Sequence, residues 1–130
     1  MAKVKKHIGQ IESLNAMVIP HDCQRYNTEG DYGIDGSTIW VTLSKMKNPY
    51  SPWLVFVHEL VEIILCMKDG VDFKDIDKFD MVGDGRHSTD PGLMTQAPYH
   101  KQHLNAVKIE KKVCKMLGLD WKKHYNNQEQ

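Results

Sequence analysis

The residues best suited to chemistry are His58-Glu59-Leu60-Val61-Glu62, set in the most apolar stretch of the chain. On a helix, where successive residues turn by about 100°, His58 and Glu62 lie roughly 40° apart and Glu59 falls in the same third of the surface. An imidazole and two carboxylates buried together without partners cost several kcal/mol or titrate to neutrality. A bound divalent cation removes that cost. It also gives the spacing a purpose, because side chains at i and i+4 chelate one ion while the residue beside the first ligand reaches a water. The plainer alternative places Glu59 and Glu62 in a solvated groove and makes His58 a hydrogen-bonded core histidine.

A second pair, His100 and His103, follows at i and i+3. One or both can complete a site begun by His58 and Glu62. Asp80 and Asp90 lie between the two segments and offer a further ligand or an outer partner for one. Glu110 shares the face of His103 but stands about 10 Å further along a helix axis, too far for the same ion. His7, His21, His87 and His124 have no partner spacing and are assigned no role.

Three segments must position these groups. Over residues 37–44, Ile39, Val41 and Leu43 alternate with Thr38, Trp40 and Thr42, the pattern of a half-buried strand; shorter strands are expected at 3–8 and 16–19. Residues 27–36 are rich in turn formers. Pro49 and Pro52, with Ser51 as a cap, introduce a helix to about Met67 that ends near Gly70 and carries apolar groups all round, which predicts a helix buried on every side. A short helix over 72–79 and a glycine-bearing loop over 81–95 come next. Pro98 then opens the last strong helix, to about Leu117, with Gly118 as its stop. Its expected inward stripe is His100, His103, Leu104, Val107, Glu110, Cys114 and Leu117, with lysines 108, 111, 112 and 115 outside.

Whole-chain properties bound the function. With 130 residues, 41% apolar, the chain suits one domain over 1–125 and a frayed polar tail over 126–130. Seventeen basic residues balance seventeen acidic ones, so no net field gathers nucleic acid or an anionic membrane. The charge is nevertheless segregated: residues 69–90 carry seven acids and three bases, and 99–130 seven bases and three acids. Three cysteines without a CxxC pair indicate neither a disulfide framework nor a thiolate zinc site, and Cys66 and Cys114 read as core thiols. No signal peptide or membrane span is legible, and the expected compartment is the cytoplasm.

The order STIWVTLS, then SPWLVFVHELVE, resembles the zincins, metallopeptidases with an HExxH helix after an edge strand; it is similar to small members acting on phage and stress repressors. Over 19–121 the chain also looks like small proteins of tailed phages that carry VHELVE, a DPG turn and APYHKQH. The zincin resemblance implies His58 as first metal ligand, Glu59 as general base, and a third ligand from His103 or His100. Glu62 stands where zincins place their second histidine. A carboxylate there hardens the site, so Zn is expected with Mn or Fe as competitors.

Together these readings give an α+β domain, a small twisted sheet packed on a metal-bearing helix and a C-terminal helix. Its expected activity is metal-dependent hydrolysis of a peptide or protein, with the 37–44 strand aligning the substrate by strand addition and His100, if not a ligand, stabilising the oxyanion. Two rivals stand beside it: a catalytically silent protein tied together by its metal, and a carboxylate-rich phosphoester hydrolase.

Overall fold

Residues 8–126 are described by a computed structural model. The strand expected at 3–8 lies outside them except for Ile8, as do His7 and residues 127–130 of the tail. Three strands, β1 (Ser13–Ile19), β2 (Gly30–Asp35) and β3 (Thr38–Ser44), precede four helices: α1 (Ser51–Asp69), α2 (Phe73–Met81), α3 (His100–Met116) and α4 (Trp121–Tyr125). The architecture is α+β.

In β3 the expected alternation is realised: Ile39, Val41 and Leu43 are buried and Thr38, Trp40 and Thr42 are half-exposed. The sheet order is β1-β3-β2, with β1 parallel and β2 antiparallel to β3. Asp35 pairs with Thr38, leaving Gly36 and Ser37 to make the turn, and Gly36 at φ 61 adopts the left-handed backbone that two-residue hairpins require. Because β3 is paired on both edges, it cannot take up a peptide by strand addition, contrary to expectation. The turn expected over 27–36 is also corrected, since 30–35 form β2. Cβ atoms added to Gly30 and Gly33 would lie 2.4 Å from Glu59 Oε1 and Trp40 Cζ2, so these glycines are close-approach positions within a strand and not turn positions.

Tyr50, not Ser51, occupies the N-cap of α1, Pro52 sits in its first turn, and Gly70 at φ 71 ends it. The helix packs on β2, β3 and α3. Leu54, Val55, His58, Glu59, Glu62, Ile63 and Cys66 face inward, whereas Trp53 is 66% and Ile64 43% exposed. It is therefore covered by the sheet and α3, not on every side. In α3 the buried set is Gln102, His103, Ala106, Glu110 and Cys114, while Leu104 and Leu117 are exposed. That stripe is rotated from the expected one toward small Ala106, which lets α3 approach α1 closely. Asp72 and Asp120 cap α2 and α4 by accepting from Lys74 N and Lys123 N. Cys66 and Cys114 are buried free thiols. No helix among the described residues is long and apolar enough to cross a membrane.

Candidate metal centre

The inward faces of α1 and α3 bring three atoms together. His58 Nε2 and His103 Nδ1 each lie 3.0 Å from Glu62 Oε2, and 3.1 Å from each other. All three residues are more than nine-tenths buried.

Carboxylates behind the rings decide which nitrogen faces the centre. Glu110 Oε1 lies 2.9 Å from His58 Nδ1, and an ionised carboxylate only accepts, so Nδ1 carries the proton and Nε2 presents its lone pair. Asp90 Oδ1 lies 3.0 Å from His103 Nε2. It is off the line of the ring N–H, and Nε2 has no hydrogen bond, yet the adjacent charge favours the proton there and the lone pair on Nδ1. Tyr32 donates to Glu62 Oε1 at 2.8 Å, leaving Oε2 for the centre.

Two nitrogen lone pairs and a carboxylate oxygen this close repel unless a cation lies among them. Protons are one such cation. Burial disfavours imidazolium, but the carboxylates of Asp90 and Glu62 outweigh it and push His103 up to about 9; Glu110 and Glu62 likewise raise His58. Burial of Glu62 is outweighed by its hydrogen bonds from His103 and His58, which hold it at about 2. A divalent metal is the other. Ligand atoms about 2.0–2.1 Å from a tetrahedral zinc stand about 3.3–3.4 Å apart, so the triangle needs to open by only a few tenths of an ångström. His58, Glu62 and His103 thus form a group able to hold a divalent metal.

Glu59 is 8% exposed and accepts no hydrogen bond from any described residue. Burial first, and then the charge of Glu62, push its carboxyl well above the ordinary range. It lines, with the centre, a cavity of about 750 Å³. Gly30 makes room for it, and Gly92 does the same for His103, since a Cβ there would lie 2.4 Å from the ring Cγ.

The remaining expected residues are placed differently. His100 stands apart from the group: its Nδ1 lies 2.9 Å from Gly92 O, where it holds the Pro91–Leu93 turn. Asp80 is an acceptor for the phenols of Tyr99 at 2.7 Å and Tyr26 at 3.1 Å, and burial, partly offset by those bonds, raises it to about 6. Glu110, set aside as too distant for the ion, instead reaches the far nitrogen of His58. His124, given no role, is 1% exposed and joins Glu110 Oε2 to Ser51 Oγ through its two nitrogens. Tyr125 donates to Asp90 Oδ2. The available signal was Asp120 as a cap with Trp121, His124 and Tyr125 at helical spacing beyond Gly118.

Comparison with models of known protein families, with curated proteins and with solved structures finds no match.

Proposed function

We propose that the protein is a metal-dependent hydrolase, a zincin-like metallopeptidase in which His58, Glu62 and His103 hold one ion and Glu59 is the general base. The observation that carries this is an unpaired, buried carboxylate beside a two-histidine, one-carboxylate donor set, both on the wall of one cavity. Structural sites are closed by a fourth protein ligand, whereas hydrolytic zinc sites use three, this donor combination among them. Zinc is the preferred ion, and Mn or Fe suit the same donors.

The ion supplies polarisation of a carbonyl and acidification of a water. Burial favours the neutral form of Glu59, and the positive charge of an ion beside it would favour the ionised one, so Glu59 would be able to take a proton from water and return it to the leaving amine. Glu110 holds the His58 ring in register through its hydrogen bond to Nδ1, and the charge of Asp90 favours the lone pair on His103 Nδ1. The phosphoester alternative is less well supported, because no lysine or arginine among the described residues lines the cavity.

Elemental analysis of protein purified without added metal should find about one ion per chain. Glu59→Gln should keep that ion and the fold while cleavage of a peptide library falls by a factor of about 10² or more. If the loaded parent cleaves no peptide, the metal ties helices together and the hydrolase reading is abandoned.

A further inference from the structure

The cavity wall carries Glu29, Glu59, Glu62, Asp80, Asp90 and Glu110. Asp31, also on it, is neutralised by Arg25, with contacts of 2.7 and 2.9 Å. A divalent ion at the centre cancels only part of the remaining charge. The aromatic donors are already committed: Tyr26 and Tyr99 donate to Asp80, Tyr32 to Glu62 and Tyr125 to Asp90. His21 is held by Ser44 Oγ and Asn27 Oδ1, each at 2.8 Å.

Two carboxylates stay without hydrogen bonds from the described residues. Glu59, nine-tenths buried, is one. The other is Glu29, immediately before β2, whose backbone carbonyl accepts from Ser44 N at 2.8 Å, so its position is fixed by the sheet while its side chain faces the cavity. Its basic groups are histidines held by other partners, no lysine or arginine among the described residues lines it, its phenols are committed and two of its carboxylates are unused, so the wall is complementary to a cation.

We infer that the substrate group entering this cavity is a cation, an alkylammonium or guanidinium, and that Glu29 is its counter-charge. The inference rests on the cavity being the substrate site of the proposed hydrolase. It names the substrate class: basic peptides, held by a carboxylate away from the cleaving centre.

The test is direct binding, independent of turnover. The metal-loaded protein, its metal content measured, is titrated by calorimetry with n-butylammonium, ethylguanidinium, butyrate and inorganic phosphate. At least one cation should bind and neither anion should, with the two cations separating lysine-like from arginine-like recognition. Glu29→Gln should weaken cation binding about tenfold or more, as expected for loss of a charged acceptor, with metal content unchanged. Asp35→Asn, at the exposed hairpin end, removes the same charge outside the cavity and should leave binding intact. The inference is overturned if neither cation binds at millimolar concentration, if phosphate or butyrate binds more tightly, or if Glu29→Gln binds like the parent. It is equally overturned if the parent holds a second metal ion that Glu29→Gln releases, since the acids then serve an ion and not a substrate. Failure of the hydrolase reading shows separately, as a loaded protein that binds cations but leaves every peptide intact.

Discussion

Each imidazole of the centre has a carboxylate behind it, and that carboxylate sets the tautomer. Glu110→Gln keeps the size of the side chain but leaves only one carbonyl oxygen to serve both His58 and His124. Metal affinity should fall about 10- to 100-fold, the usual cost of losing such a partner, read by competition with a chromophoric chelator. Asp80 offers a prediction in pH. Burial raises it to about 6 in the folded protein. The folded state therefore holds a proton that the unfolded chain has released, and this contribution, complete below about pH 4, is lost as pH rises through 6. That contribution should shrink by about 2–3 kcal/mol across the window, read in metal-stripped protein as the change between pH 4 and 6.5 in the stability difference between the parent and Asp80→Asn in urea titrations. His58, Glu62 and His103 are legible in the sequence because ligand spacing on a helix is local arithmetic. Glu110 was discounted by the same arithmetic, which measures the distance to the ion and not to the opposite edge of an imidazole ring. His124 was illegible because its partners, Glu110 and Ser51, lie 14 and 73 positions away.

The elements succeed or fail as carriers of these groups by how closely their backbones approach. Gly92, in the Pro91–Leu93 turn, lies against the His103 ring with no space for a methyl group. Gly92→Ala must move the ring or the turn, and should cost about 1–3 kcal/mol of stability together with loss of metal, measured by thermal unfolding and elemental analysis. The sequence made β3, α1 and α3 readable through period and stop signals. It hid β2, because glycines that allow close packing look like glycines that make turns. The buried stripe of α3 was drawn through large apolar residues, whereas contact with α1 selects Ala106 and exposes Leu104 and Leu117. Hydrophobicity alone does not specify which face a helix turns toward a close neighbour.

At the scale of the whole molecule, the centre joins α1 to α3 directly and to α4 through Glu110 and His124, so a cation held there would contribute to global stability. An ion at a thousand times its Kd stabilises the fold by about 4 kcal/mol. At roughly 3–5 °C per kcal/mol for a domain of this size, chelation should lower the Tm by about 10–20 °C near neutral pH. The size of that drop should itself depend on pH. In the stripped protein, protons replace the ion: His103, raised to about 9, keeps its charge in the folded state at pH values where an unfolded histidine has lost it. A raised folded-state pKa contributes stability that is fully present below about 6.5 and is lost as pH rises through 9. The loaded protein has no such proton to lose and gains as deprotonated imidazoles bind the ion more tightly. The gap in Tm between loaded and stripped protein should therefore be small at pH 6 and widen steadily to pH 9, as followed by calorimetry with and without chelator. A gap that stays constant over this range, with metal removal verified at each pH, would mean that proton and ion do not compete for the same three side chains.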